Sequence, residues 1–206
     1  MIVSSLPKIE AYEAHVLACR TCARCQGTIN LSASVHPSPW ASLMGSLDAH
    51  VVVVGQDFAC IDNPRTEPDP SLPTNRNLRQ LIRAADLEER DIYLTNAMLC
   101  LKPGSMSAPV RSEWVRNCSS LLRRTIQIVS PKAVAALGAV AWRSLGHVFA
   151  IPLPPLADSV GREPIPTCAG PSLFAFNHPG GLGLVRRSLD KQSDDWRRLG
   201  RWLSTQ

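Results

Sequence analysis

Side chains that can perform acid–base or hydrogen-bonding chemistry follow three short apolar runs of this chain. Gln56 and Asp57 come directly after one run, Asn96 ends the second, and His178 lies two residues beyond the third. A carboxylate can orient a water molecule and stabilise developing positive charge, whereas an imidazole or amide N–H can donate to developing negative charge. Each of these residue types is also common in turns and at caps, so no position identifies a site by itself.

The elements that must position these residues alternate between strands and helices. Strands are predicted at 50–55, 91–96, 133–137 and 173–176, and helices at 8–25, 75–86, 112–128, 139–146 and 189–203. We expect an α/β fold, a three-layer α/β/α sandwich with a central, mostly parallel four-stranded sheet, in a single domain over 1–206. The proline-rich stretch 150–171 is predicted as a loop or distorted hairpin. Because ligands bind at the carboxyl ends of parallel strands, the polar residues above should converge there.

The composition is that of an ordinary folded protein. Its 206 residues are 45% hydrophobic and carry 22 Lys and Arg against 17 Asp and Glu, a formal charge of +5. A basic balance is compatible with a polyanionic partner but does not establish one. The N-terminus lacks a basic start followed by an apolar run, and the apolar stretches are too short to span a bilayer. We therefore expect a soluble, cytoplasmic protein with no membrane association.

Seven cysteines in a chain without an export signal indicate metal binding or catalysis rather than disulfides. The segment CRTCARC contains two overlapping C-x-x-C pairs, Cys19 with Cys22 and Cys22 with Cys25. Such a pair lets one turn supply two corners of a tetrahedral site, and four thiolates suit either zinc or an iron–sulfur cluster.

Four segments, taken together and in order, resemble the uracil-DNA glycosylase superfamily. They are VVVVGQD, DIYLTNAMLC, IQIVSPKAVAALGAVAW and FAFNHPGG. The scaffold resembles the iron–sulfur (family 4) members, whereas the Gly-Gln-Asp of the first motif resembles family 1. The match departs from family 1 at Phe58-Ala59, where those enzymes continue Pro-Tyr, and after His178-Pro179, where Gly-Gly-Leu replaces Ser-Pro-Leu.

The resemblance implies an enzyme that hydrolyses the N-glycosidic bond of uracil in DNA, leaving an abasic site and free uracil. Asp57 would orient water and stabilise the oxocarbenium-like sugar, and His178 would donate a hydrogen bond to the departing base. The Asn96 amide would pair with the edge of uracil, while the backbone amides of Gln56 and Asp57 complete the anion site.

Ala59 stands where family 1 has the Tyr that excludes thymine. The small side chain predicts tolerance of C5-substituted uracils and of other deaminated bases. Phe58 is the candidate for stacking on the base, with a place in the core as its alternative.

Residues beyond His178 are expected to contact DNA. Leu182 matches the Leu that enters the base stack, and the backbone at Gly180 can approach a phosphate. Arg186 and Arg187 form a basic patch that suits DNA phosphates, although a solvated helix start explains such charges as well.

The same resemblance implies a 4Fe–4S cluster held by Cys19, Cys22, Cys100 and Cys118, with Cys25 as a competing ligand. Two alternatives stay open for the chain as a whole. One is a related glycosylase for another damaged base, and the other is a non-catalytic DNA-binding module that retains the fold and the cluster. A nucleotide-binding oxidoreductase is disfavoured, since no G-x-G-x-x-G follows the first strand.

Overall fold

A central sheet of four parallel strands organises the protein. The computed structural model describes residues 6–30, 46–57, 71–105, 107–168 and 170–206. The strands are β1 (Ile29–Asn30), β2 (Val51–Gly55), β3 (Ile92–Asn96), β4 (Cys100–Leu101), β5 (Ala133–Leu137) and β6 (Ser172–Phe176). The helices are α1 (Leu6–Arg20), α2 (Pro73–Ala84), α3 (Ser112–Val129), α4 (Ala139–Phe149), α5 (Leu156–Ser159), α6 (Gly181–Arg186) and α7 (Leu189–Leu203). The strand order is β3-β2-β5-β6, with every neighbouring pair parallel.

The continuous apolar run of β2 is explained by a sheet that is covered on both faces. Val51 and Val53 pack into a core with α2 and α7, whereas Val52 and Val54 pack into a second core with α3 and α4. All four valines are 0% exposed. Alternate side chains of a strand point to opposite faces, so only a strand between two helical layers is apolar at every position. The predicted three-layer α/β/α sandwich is confirmed.

The structure adds elements that the sequence pattern did not predict. Strands β1 and β4 form a separate antiparallel pair of two residues each, too short to give a periodic signal. Helix α6 lies in the glycine-rich stretch after His178, where helix propensity is low. The stretch 150–171 contains helix α5 and an antiparallel bridge between Ile165 and Leu173, which confirms in part the expected hairpin.

Helix α1 ends at Arg20, earlier than the predicted boundary at residue 25. The chain then enters the cysteine-rich turn, where the amide of Cys22 donates to the carbonyl of Cys19. None of the helices in the described ranges is long and apolar enough to cross a membrane.

Candidate active site

The carboxyl ends of β2 and β3 bring Gln56 and Asp57 beside Asn96. Gly55 pairs with Asn96 in the parallel register, and the chain leaving β3 donates backbone hydrogen bonds from Ala97 to the Gly55 carbonyl (2.9 Å) and from Met98 to the Gln56 carbonyl (3.0 Å). The predicted convergence of the first two motifs is therefore present.

Gly55 is required here by close packing. A Cβ atom at this position would overlap Oδ1 of Asn96, a side chain that is itself 9% exposed. The glycine thus lets the Asn96 amide lie against the end of β2, at the floor of the site.

Asp57 is held by a lysine that the sequence analysis did not select. Lys102 Nζ donates to Oδ2 of Asp57 at 2.5 Å, and Gln56 Nε2 lies 3.5 Å from the same oxygen. The Lys102 side chain is 1% exposed and that of Asp57 is 9% exposed. The available signal was a lone lysine directly after the apolar stretch 97–101.

His178 follows β6 with its imidazole in a fixed orientation. The backbone N–H of Gly180 donates to Nδ1 at 3.1 Å, so Nδ1 accepts and the neutral ring carries its proton on Nε2. Although His178 is exposed at its surface, packing around the ring lowers the pKa of His178 below its usual value, while the Asp57 carboxylate acts in the opposite direction. The histidine is therefore neutral at neutral pH, with an N–H available to an acceptor.

The start of α2 supports the loop that carries His178. Asn77 Nδ2 donates to the carbonyl of Pro179 at 2.8 Å. A Cβ atom on Gly180 would lie 2.6 Å from Thr74 Oγ1 and 3.0 Å from Nδ1 of His178. The sequence predicts that the Gly180 backbone approaches a DNA phosphate. In the structure, the Gly180 N–H instead donates to Nδ1 of His178.

Exposed apolar and basic side chains lie on the helix that follows His178. On α6, Leu182 is 82% exposed and Val185 is 85% exposed, and Arg186 at its end is exposed as well. Arg187, by contrast, makes a bidentate ion pair with the buried Asp195, at 2.6 and 2.8 Å. The two arginines that the sequence grouped together thus occupy different environments. Phe58 and Ala59 lie outside the described residues.

Known proteins resemble this chain over most of its length. A family model described as the uracil DNA glycosylase superfamily matches residues 43–200. The chain belongs to the uracil DNA glycosylase superfamily. The chain is 28% identical over 191 residues to a type-5 uracil-DNA glycosylase of Pyrobaculum aerophilum, covering 79% of this chain and 80% of the relative.

Two type-4 uracil-DNA glycosylases are also similar to this superfamily member. The protein of Archaeoglobus fulgidus is 20% identical over 159 residues, covering 76% of this chain and 78% of its own. That of Thermotoga maritima is 24% identical over 155 residues, covering 75% and 74%. The predicted resemblance to the superfamily and to its type-4 branch is confirmed.

Five thiols of this glycosylase-superfamily chain gather where α1, β4 and α3 meet. Cys25 Sγ lies 3.8 Å from Cys118 Sγ, and hydrogen bonds from Cys118 and Cys25 lower the pKa of Cys100 well below its usual range. Burial raises the pKa of Cys19 to about 12, with smaller contributions from Cys118, Cys22 and Cys100.

The donor set fits a thiolate-bound group. Cysteines from three separate segments face one another, as four-thiolate ligation requires. No three His, Cys, Asp or Glu side chains within the described ranges enclose a single metal ion. Cys25 Sγ lies 3.8 Å from Cys118 Sγ, and Cys19 interacts with Cys118, Cys22 and Cys100, so the group contains the competing ligand Cys25 as well as Cys19.

Proposed function

We propose that this chain is a DNA glycosylase that hydrolyses the N-glycosidic bond of uracil in DNA, releasing free uracil and leaving an abasic site. One observation carries the proposal: Asp57, Asn96 and His178 follow or end β2, β3 and β6 at the carboxyl edge of one parallel sheet, and the His178 tautomer is fixed by Gly180. The relatives named as uracil-DNA glycosylases agree with it.

His178 and Asp57 serve opposite charges in the reaction. As the C1′–N1 bond breaks, negative charge gathers on the base, and the Nε2–H of neutral His178 donates to it without a prior protonation step. The Asp57 carboxylate orients a water molecule toward C1′ and stabilises the positive sugar, and the water then adds to C1′ and loses a proton. Both interactions are stronger in the transition state than in the ground state, which is the condition for catalysis.

Asn96 identifies the base. Its buried amide offers one donor and one acceptor to the edge of a flipped-out pyrimidine. Cytosine presents the reverse pattern at that edge, so a buried polar group would be left unpaired. The base range beyond uracil is proposed from Ala59 alone: release of 5-hydroxymethyluracil that is abolished in Ala59→Tyr would support it, and strict uracil selectivity in both proteins would refute it.

The test of the main proposal is base release from oligonucleotides that contain uracil, in single- and double-stranded form. We expect Asp57→Asn and His178→Asn each to lower the single-turnover rate by about 100-fold or more, with binding of uracil DNA retained. Asp194→Asn removes an exposed carboxylate and serves as the matched control. If wild type and Asp57→Asn both bind uracil DNA but neither releases base, the chain is a non-catalytic DNA-binding module.

We also propose that the cysteine group holds a 4Fe–4S cluster, with Cys100 and Cys118 as two ligands and two more from Cys19, Cys22 and Cys25. Such a cluster would supply a structural cross-link between α1, β4 and α3. Iron and sulfide analysis of Cys19→Ser, Cys22→Ser and Cys25→Ser separates the ligands, with the exposed Cys168→Ser as control. Zinc in anaerobically prepared protein, without iron, would contradict the cluster.

We also propose that residues 1–206 form one domain, since both apolar cores pack on the same four-stranded sheet.

A further inference from the structure

We infer that Lys102 is a positioning residue that orients the Asp57 carboxylate for glycosidic-bond hydrolysis. The inference rests on the proposed function, because it concerns the residue assigned there to the water and the sugar cation.

Lys102 is buried together with the carboxylate that it contacts. Lysine is almost never fully buried unless it is paired, because removing an ammonium group from water is costly. Among the ion pairs of the described residues, Lys102 with Asp57 is the one in which both side chains are less than a tenth exposed. The pair therefore lies inside the protein, at the floor of the site, and not on its solvated surface.

The geometry places Lys102 behind the carboxylate. Within the described residues, both contacts of the Asp57 carboxylate fall on Oδ2, from Lys102 Nζ at 2.5 Å and Gln56 Nε2 at 3.5 Å. An ionised carboxylate has two acceptor oxygens, so fixing Oδ2 sets the direction in which Oδ1 points. Oδ1 is then the oxygen that accepts from the attacking water.

Charge alone does not explain the lysine. An ammonium group beside Asp57 offsets part of the negative potential that would stabilise a sugar cation, so it weakens the electrostatic role of the carboxylate. The contribution that remains is orientation, which is worth large rate factors when a reacting water must be aligned.

The chain segment that carries Lys102 is itself anchored. Lys102 directly follows β4, which pairs with β1, and β4 begins at Cys100 in the cysteine group. The same short strand thus connects the cysteine group with the active-site carboxylate, and the proposed cross-link also fixes the lysine.

The test is a double-mutant cycle under single-turnover conditions with the protein as purified. Lys102→Met should lower the rate of uracil release by about 100-fold, with the Kd for uracil DNA within about twofold of wild type. In the presence of Asp57→Asn, Lys102→Met should change the rate less than about twofold, because Lys102 acts through Asp57. Lys132→Met, an exposed lysine before β5 at the opposite end of the strands, is the matched control.

An equal loss with and without Asp57→Asn would overturn the inference, as would a wild-type rate in Lys102→Met. If Lys102→Met fails to fold, the rate of Lys102→Arg is measured with and without Asp57→Asn, since the longer arginine side chain must displace the carboxylate. A rate loss that occurs only when Asp57 is present supports the positioning role. An equal rate loss in both backgrounds overturns it. Absence of uracil release by the wild type would refute the proposed function instead.

Discussion

Two hydrogen bonds orient the proposed catalytic side chains. The Gly180 amide fixes the proton of the neutral imidazole on Nε2, and the Lys102 ammonium fixes one oxygen of Asp57. Each contact occupies one heteroatom of its partner, Nδ1 of His178 or Oδ2 of Asp57. The proposed roles of His178 and Asp57 therefore depend on neighbours that hold them, as well as on their own residue types.

The lowered pKa of His178 predicts how the rate depends on pH. Because burial disfavours the charged imidazolium, the ring takes up its proton at a lower pH than an ordinary histidine, whose pKa is about 6.5. We therefore expect the acid limb of the kcat profile to lie below about pH 6.5, where protonation of Nδ1 removes the bond from Gly180. A limb of the kcat profile at or above about pH 6.5 that vanishes in His178→Asn would contradict this.

Gly180 and the adjacent Gly181 provide a matched pair of substitutions. A Cβ on Gly180 would press against Thr74 and the His178 ring, whereas a Cβ on Gly181 meets nothing within 4 Å. We expect Gly180→Ala to lower the uracil-release rate by about 100-fold through displacement of the imidazole. Gly181→Ala should keep the wild-type rate, and equal losses in the two variants would show that the imidazole contact is not the cause.

At the scale of elements, we propose that α6 and the loop before it form the surface that meets DNA. Helix α2 supports this loop through Asn77, and α6 presents Leu182 and Val185 to solvent. Exposed apolar side chains next to a base-binding site suit insertion into a base stack from which a nucleotide has been removed. In this proposal, the short helix α6 supports the inserted side chains within the glycine-rich stretch.

Leu182→Ala should therefore affect double-stranded substrate more than single-stranded substrate. The side chain fills the gap left in a duplex, and a single strand has no such gap to fill. We expect a rate loss of about tenfold or more on uracil in duplex DNA, because the side chain offsets about 1.4 kcal/mol or more of the unstacking cost, and little loss on single strands. Leu17→Ala, on α1 and 62% exposed, is the control. Equal losses on the two substrates would argue against a wedge.

Arg186 and Arg187 should separate DNA binding from stability. Arg187→Met leaves Asp195, 2% exposed, without its partner and should lower the free energy of unfolding by about 3 kcal/mol. Arg186→Met should change stability by less than about 0.5 kcal/mol while weakening DNA binding and reducing its salt dependence by about one counterion. Denaturation curves and binding isotherms at several salt concentrations measure both. The reverse pattern would assign the phosphate contact to Arg187.

At the scale of the whole molecule, two regions have different sources of stability. Residues 46–206 contain the two apolar cores on either side of the sheet, whereas residues 6–30 join them largely through α1 packing on α3 and through the cysteine group. If four thiolates bind a cluster of core charge about +2, the formal charge falls from +5 to about +3. Local basic residues then matter more for DNA binding than the total charge.

Loss of the proposed cluster should loosen the N-terminal region first. We expect Cys118→Ser to expose residues 6–30 to limited proteolysis while the remainder of the chain resists, because no cysteine is among the described residues of the two sheet cores. Cys168→Ser, which alters an exposed thiol, should leave the digestion pattern unchanged. Cleavage throughout both variants at the same rate would refute a structural role for the thiols.

The sequence by itself determined the sheet, the helices that cover it and which polar residues follow its strands. Apolar periodicity is a local property, so β2, β3, β5 and β6 were predicted to within about one residue, a smaller error than boundaries usually show. The same pattern placed Asp57, Asn96 and His178 at strand ends, where parallel register brings Asn96 beside Gly55.

Only the tertiary structure decided which neighbours hold those residues. Three such details depend on burial and on the direction of side chains. They are the ion pair of Lys102 with Asp57, the different environments of Arg186 and Arg187, and the contact of Cys25 with Cys118. None of these properties is periodic along the chain. Two-residue strands such as β1 and β4 carry no pattern either, yet they place a buried lysine at the floor of the site. Packing, which acts between distant segments, is the physical reason that these details were absent from the sequence signal.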